Sequence, residues 1–436
     1  MINVHQRFNS VGHGTFFNGF AFEMGRVNEF SWIYDCGSKR TTRLDQEITR
    51  FDECWQAPEE IDLLVLSHFD DDHVNGVERL LKSRKVRNLA LPYMDIGQRL
   101  ACAAAIDSDS SSASTASLQL DPVAWLHAHG LADQVTTVLM VQGGTRDDDD
   151  PPIDAPPAPL PSSPTADEPF QNEKGHSSER AHGPRHPLMN AHGTSIATGP
   201  QLLTHKHTRS VGALGLPLEL MFFNATQPDL FRHDATGMSV ARRSHCEISV
   251  VQSEVDKISR SYGLYDLSRK PRKGWRDALR AVYVKHFGNS SQQRNNISLC
   301  LLVRPYAIRI GYFAVAENFD EHHFFYDGKI LNTNKAGTLL LGDLRIDAGT
   351  LEEMTAHFGL TRWASIGTVQ VPHHGSKHSW ESGAAAAFSA ELFVHCIPDS
   401  SSHHPHKSVE DDLNSVATVL RADYRTSVVI NYWYIP

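Results

Sequence analysis

Between His68 and His73, two histidines and three aspartates fall within six residues of the stretch Val65-Leu66-Ser67-His68-Phe69-Asp70-Asp71-Asp72-His73-Val74-Asn75-Gly76. They follow the largely apolar run Ile61 to Leu66, so oxygen and imidazole donors converge where a buried strand ends, as they do in divalent-cation sites. An acidic turn with flanking histidines is ordinarily a solvated loop. Order decides between the two. His68, Asp70, Asp72 and His73 alternate, and Gly76 opens the amphipathic stretch Val77, Leu80 and Leu81. On a strand-loop-helix turn that alternation sends His68 and Asp70 to one position and Asp72 and His73 to a neighbouring one. Two ions could then be held side by side.

Later stretches could complete such a site. Thr338-Leu339-Leu340-Leu341-Gly342-Asp343 is an apolar strand ending in glycine and aspartate, which sets a carboxylate at a sheet edge where the backbone can approach closely. Val369-Gln370-Val371-Pro372-His373-His374-Gly375-Ser376 is a strand ending in proline and two histidines. His403-His404-Pro405-His406-Lys407-Ser408 precedes a helix expected from Val409 to Leu420, whose N-terminal end suits a phosphate. Asn295 and Asn296 lead into the apolar run from Ile297 to Val303, and Asp35 ends an apolar strand at Phe30 to Tyr34. Thr350 and Glu353 have the spacing of a helix capping box.

The spacing His68-x-Asp70-x-Asp72-His73 resembles the metal signature of the metallo-β-lactamase superfamily, in the variant with aspartate in place of the second histidine. That variant is typical of the nuclease-like domain of ComEC and its stand-alone relatives. The string Pro372 to Ser376 is similar to that group's PHHGS, Asn295 to Val303 to its NNxSLVL, and His403 to Ser408 to its closing YGHPS. Val11-Gly12-His13-Gly14-Thr15 stands where the group has VGQGD, with His13 for glutamine and Thr15 for aspartate. The resemblance spans residues 1–141, 218–225 and 286–434.

It implies an αββα sandwich of two mixed sheets, with a dinuclear centre at one edge. His68, Asp70 and Asp343 would hold one ion, and Asp72, His73, His374 and the bridging Asp343 the other. Asp70 in place of histidine makes the site harder, which adds Mn²⁺ to Zn²⁺ as the expected metal. A hydroxide held between the ions near neutral pH would attack phosphorus in line. His373 is expected beside the metals as a substrate group, and Ser376 and His378 as holders of a phosphate. His404 either protonates a leaving oxygen, contacts phosphate or has no role. Asn295 or Asn296, or water, fills the first ion's remaining place. Asp35 either orients the metal loop or only forms a turn. The function implied is a metal-dependent phosphodiesterase, most plainly a nuclease acting on nucleic acid. The alternatives are another hydrolase of this fold, for a lactone, thioester or cyclic nucleotide, and a regulatory subunit with a protein partner in a multi-protein bacterial defence system.

The elements that position these residues occupy a chain of 436 residues, long for one ordinary domain. We expect one metallo-β-lactamase-like α/β domain across 1–436 with two insertions. From about Gly143 to Pro200 the sequence is rich in Pro, Ser, Asp, His and Gly and is expected to be disordered, since it has little apolar area to offset its ordering entropy. Residues 226–287 read as a helical insertion, with amphipathic helices at Val250 to Tyr262 and Trp275 to Val284. A net charge of −10 does not suit a general polyanion binder, yet from Arg242 to Arg304 there are 13 Lys or Arg against 5 Asp or Glu. Arg272 and Lys273 lie in that basic run, which is either a solvated face or a track for a phosphate backbone. Six singly spaced cysteines, no signal-peptide pattern and no run of 18 apolar residues point to a soluble, cytoplasmic protein without a membrane partner.

Overall fold

The computed structural model describes residues 1–23, 29–54, 58–105, 112–153, 155–160, 199–213, 216–226, 230–288, 298–306, 310–320, 329–331, 333–398 and 401–435. The chain opens with β1 (Ile2–Phe8), β2 (Phe16–Glu23) and β3 (Glu29–Cys36), and α1 (Thr41–Glu53) carries it to β4 (Glu60–Val65). The short helices α2 (Asp71–Val74) and α3 (Val77–Ser83) lead to β5 (Lys85–Pro92), and α4 (Ile96–Ala105), α5 (Ala113–Leu120) and α6 (Pro122–Ala128) to β6 (Val135–Gln142). Next come β7 (Ala158–Pro159), β8 (Gln201–Lys206), β9 (Val211–Gly212), β10 (Leu218–Asn224) and a hairpin of β11 (Phe231–His233) with β12 (Ser239–Ala241). Two helices follow, α7 (Ile248–Tyr262) and α8 (Trp275–Phe287), then β13 (Leu299–Pro305), β14 (Ile310–Asp320), β15 (Lys329–Leu331) and β16 (Gly337–Leu340). The chain closes through α9 (Ala348–Ala364), β17 (Ile366–Gln370), α10 (Ala384–Phe388), β18 (Leu392–Cys396), α11 (Lys407–Asn414), β19 (Thr418–Ala422) and β20 (Thr426–Ile435).

These strands form two large mixed sheets. Sheet one has the order β15-β14-β20-β1-β2-β3-β4-β5-β6-β8 and sheet two the order β19-β18-β17-β16-β13-β10-β9-β7. Alternation explains why the sheets stack. Ile2, Val4 and Phe8 of β1 join Leu218, Leu220 and Phe222 of β10, and Leu299, Leu301 and Val303 of β13, in the core between them. Strand β4 is buried on both faces: Leu63 and Val65 enter that inner core, while Ile61 and Leu64 pack outside against Leu44 and Ile48 of α1 and Val77, Leu80 and Leu81 of α3. A strand covered on both sides reads as an unbroken apolar run, as Ile61 to Leu66 does. Each fully buried Leu or Ile there stabilises the fold by about 1.5–3 kcal/mol. Beyond sheet two, Met354 and Phe358 of α9, Phe388 of α10 and Val409 and Leu413 of α11 cover Leu339, Val369 and Phe393. The layer order is αββα, the sandwich of two mixed sheets expected from the sequence.

The fold bears on four sequence expectations. The stretch from 143, expected to be disordered, is described at 143–153 and 155–160 with secondary structure and side-chain anchors, and residues 154 and 161–198 lie outside the described residues, as do the four histidines His176, His182, His186 and His192. Polar anchors replace the missing apolar burial. Asp147 and Asp150 meet Lys206 at 2.7 and 3.4 Å, Asp150 accepts from Thr208 Oγ1, and Arg362 donates to the carbonyls of Ile153 and Ala155. Second, the two helices expected within 226–287 form as α7 and α8, and Val251, Val255, Trp275 and Leu279 share a core with Leu100 of α4 and Leu120 of α5. Third, α9 is capped by Asp347, which accepts from Thr350 N–H at 3.0 Å, while Glu353 accepts instead from Thr226. Fourth, the helix after His406 ends at Asn414, and Thr418 to Ala422 pair as a strand with β18.

Candidate metal centre

The parallel strands β4, β16, β17 and β18 all deliver their C-terminal ends to one mouth, where open αβ sheets expose loops and backbone groups to ligands. Strand β4 leads into the loop at 66–70 and then α2; β16 leads to Gly342-Asp343, and β17 to the turn Pro372–Gly375. The turns after β1 and β3 close over the metal loop from the other side. Thr15 N–H donates to Asp72 O at 3.1 Å and Gly76 N–H to Cys36 O at 2.8 Å. That closeness requires glycine: a Cβ on Gly14 would lie 2.7 Å from Asp72 O, and one on Gly37 would lie 2.3 Å from His73 N.

The donors form two clusters whose ligand atoms lie within 4.8 Å of one another, His68 with His73 and Asp343, and His13 with Asp72 and His374. In the first, His73 Nε2 is 3.3 Å from Asp343 Oδ1, and His68 Nε2 is 3.6 Å from Asp343 Oδ2. In the second, Asp72 Oδ2 is 3.5 Å from His374 Nε2 and 3.6 Å from His13 Nε2. His73 thus groups with His68 rather than with Asp72, because the first turn of α2 points Asp72 and His73 to opposite clusters. Asp70 belongs to neither cluster; its Oδ2 lies 3.8 Å from His68 Nε2 and its side chain is 34% exposed. His13 was not among the expected ligands. Its signal was the imidazole standing at the glutamine position of the first glycine turn.

The other ring nitrogens are already used. Asp35 Oδ2 pairs with His73 Nδ1 at 2.7 Å and accepts from Ser67 Oγ at 2.7 Å, while Oδ1 accepts from Ser67 N–H at 2.6 Å. Asp35 is fully buried at φ +55°, a conformation these bonds hold in place. His374 Nδ1 donates to Cys396 O at 2.8 Å. What remains is a set of buried atoms with no hydrogen-bond partner among the described residues: His68 Nε2, His73 Nε2, His374 Nε2 and Asp343 Oδ1. Each such atom costs about 1–3 kcal/mol if left alone. Imidazole nitrogens and carboxylate oxygens on a shared mouth fit divalent cations, which these residues would hold with second ring nitrogens fixed by Asp35 and a backbone carbonyl.

Charge follows the same division. Burial works to lower the His73 pKa, but the carboxylates of Asp343 and Asp35 prevail and hold it well above the ordinary histidine value. Burial would raise the Asp343 carboxyl, and the imidazoles of His73, His68 and His373 carry it well below the usual range. Asp72 is likewise depressed, its burial outweighed by His374, whose Nε2 lies 3.5 Å away, and by the charge of His73. His13 falls to about 3, through burial and the charges of His374 and Lys39.

The remaining expected residues lie around this mouth or away from it. His373 Nε2 is 3.8 Å from Asp343 Oδ2, and His373 Nδ1 pairs with Ser379 Oγ at 2.9 Å. His404 stands with its ring 6.2 Å from that of His373 and 6.4 Å from that of His13. Burial and the charges of His374 and His373 lower its pKa to about 4, so at neutral pH it is an uncharged imidazole rather than a ready acid. Ser376 is buried, and its Oγ accepts from His378 N–H at 3.3 Å; His378 itself is exposed. Arg272 and Lys273 are exposed on the turn between α7 and α8, a different element from every loop of the mouth. Asn295 and Asn296 lie outside the described residues; Ser298, the first described residue after them, accepts from Asp343 N–H at 3.1 Å.

No helix among the described residues is long and apolar enough to cross a membrane. No family model matches the chain, and no curated protein matches it. Among solved structures, the chain is similar to a mutant of the CmlA beta-hydroxylase, at 10% identity and a TM-score of 0.34 over 98% of this chain. It spans about half the length of that protein, 53%. It is also similar to unliganded yeast PDE1, at 7% identity and a TM-score of 0.37, over 98% of this chain and 99% of that one.

Proposed function

We propose that this protein is a metal-dependent hydrolase of phosphodiesters, with a nucleic-acid strand as substrate, and that 1–436 forms one ComEC-like domain elaborated by the stretch after residue 143 and by the helices near 226–287. The observation that carries the reading is the pair of His/Asp clusters at the ends of the parallel strands, four of whose buried atoms have no hydrogen-bond partner among the described residues. His68, His73 and Asp343 would hold one cation, and His13, Asp72 and His374 the other. Two divalent ions supply Lewis-acid chemistry, lowering the pKa of water and neutralising charge that develops on phosphate oxygens. The chain's own residues do the rest. Asp35 keeps His73 in one orientation, His373 lines the mouth beside Asp343, and the N–H of neutral His404 would donate to a phosphate oxygen. The nucleic-acid substrate is supported by the PHHGS and HxDxDH strings; the imidazole-rich clusters suit Zn²⁺, while Mn²⁺, expected from Asp70, loses that ground because Asp70 joins neither cluster.

The test is metal analysis of the purified protein together with cleavage assays on single-stranded and double-stranded DNA and RNA in Mn²⁺, Zn²⁺ or Mg²⁺, with Asp72→Ala as control. Retained metal and cleavage lost in Asp72→Ala are expected. Cleavage that persists in Asp72→Ala would overturn the mechanism, and retained metal without cleavage of any polymer would favour a small-ester hydrolase or a subunit that works with a protein partner.

A further inference from the structure

Two turns bring a lysine onto the rim cluster. Lys39 N–H donates to His13 O at 2.8 Å and Gly37 N–H to Thr15 O at 2.9 Å, so the turn after β3 is zipped to the turn after β1. The side chains then leave on the same side. Lys39 Nζ lies 2.6 Å from His13 Nε2 and 3.9 Å from Asp72 Oδ2. An ammonium has no lone pair, so it is the donor, and His13 Nε2 accepts through the same lone pair that a metal ion would use. Asp72 Oδ2 also lies 3.5 Å from His374 Nε2. The buried cluster is different: among the described residues, the ion pairs of Asp343 are with histidines alone.

We propose that Lys39 is the resident cation of the rim position, satisfying His13 and Asp72 until a divalent ion displaces it, and that the displaced ammonium then binds an anionic oxygen of the substrate at the mouth. This rests on reading His13, Asp72 and His374 as metal ligands. Two consequences follow from charge alone. An ammonium a few ångströms from a dication repels it, so the rim ion binds more weakly than the buried one. An anion that takes up the ammonium removes that repulsion, so anion and rim ion strengthen each other's binding reciprocally. The lysine side chain is 59% exposed and can swing outward without disturbing the core.

The experiment titrates metal-free protein with Co²⁺, read by visible absorption and by equilibrium dialysis, with and without dimethyl phosphate as the anion. Wild type, Lys39→Met and Lys39→Arg are compared, with thermal melting as the check on folding. Wild type binds two ions, the second weaker and tightened by dimethyl phosphate. In Lys39→Met the second ion binds about tenfold tighter, and dimethyl phosphate no longer changes it, a coupling of the usual size between linked sites. Lys39→Arg keeps the cation and behaves as wild type. Two ions bound by Lys39→Met with wild-type affinities and wild-type response to dimethyl phosphate would overturn the proposal while leaving the dinuclear reading standing. Absence of Co²⁺ binding in all three proteins would remove the dinuclear reading and this proposal together.

Discussion

The two donor clusters are built from the same residue types and supported in opposite ways. His73 and Asp343 are buried, His68 keeps 12% of its side chain exposed, and His73 is held from behind by the fully buried Asp35. His13, Asp72 and His374 include two half-buried members, and the imidazole of His13 is shared with a lysine that is largely in solvent. A ligand set backed by buried hydrogen bonds is preorganised, whereas one facing a mobile cation has to be vacated before use. On the dinuclear reading, the contrast would give an ion in the inner cluster a retained role and an ion in the rim cluster an exchangeable one.

The largest effect is expected for Asp343→Ala, which removes the carboxylate facing both His68 and His73. Phosphodiesterase kcat/KM, measured with bis(p-nitrophenyl) phosphate, should fall by at least about a hundredfold, or roughly 3 kcal/mol of transition-state stabilisation. Dialysis should then show loss of the inner ion, and a variant that still binds two ions tightly would break the comparison. Asp35→Asn should weaken the inner ion by about 10–100-fold, the usual range for a residue that orients a ligand histidine, and leave the rim ion unchanged. His13→Ala should do the reverse, weakening only the rim ion, with the melting temperature of the metal-free protein held.

Proton release sharpens the same contrast. In the metal-free protein His73 is held in its charged form at neutral pH by Asp343 and Asp35 despite its burial, so filling the inner position at pH 7 must expel the proton on Nε2. His13, lowered to about 3, has none to give. Calorimetric titrations in buffers of different ionisation enthalpy should show about one proton released by the inner ion from His73 and none from His13 for the rim ion. Because the His73 pKa is raised, inner-ion affinity rises with pH through the neutral range. The smallest effect concerns the fold alone. Burial would raise the Glu219 carboxyl, but the hydrogen bond from Arg362 and the charges of Arg304 and Arg362 bring it below the ordinary range. A depressed carboxyl stabilises the protein above its unfolded pKa and loses that contribution on acidification, so the urea midpoint of Glu219→Gln should fall at pH 7 and approach wild type in acid. Metal content should not change.

Much of this site could be read from sequence because motif order maps onto strand ends. The apolar runs before His68, Asp343 and His373 are the strands β4, β16 and β17, and each puts its polar residues at the same edge. What could not be read is which donors share a cluster. That depends on α2 starting at Asp71, whose first turn separates Asp72 from His73, and on tertiary closure of the His13 turn, a contact across more than fifty residues of chain. The order of residues 143–160 was hidden for a related reason: composition reports missing apolar area but not the buried arginine, Arg362, that gathers the segment's carbonyls.

One small contact has a wider consequence. Asp71, inside the metal loop, accepts from Ser112 N–H at 3.0 Å and from the hydroxyl of Thr115, at the start of α5. The helical layer is therefore latched to the loop that carries Asp72 and His73. Trimming the chain to its two sheets would not be a neutral simplification: it would leave an unlatched carboxylate beside the centre, able to compete for the ions it now leaves alone. The helices are part of what keeps the ligand count fixed.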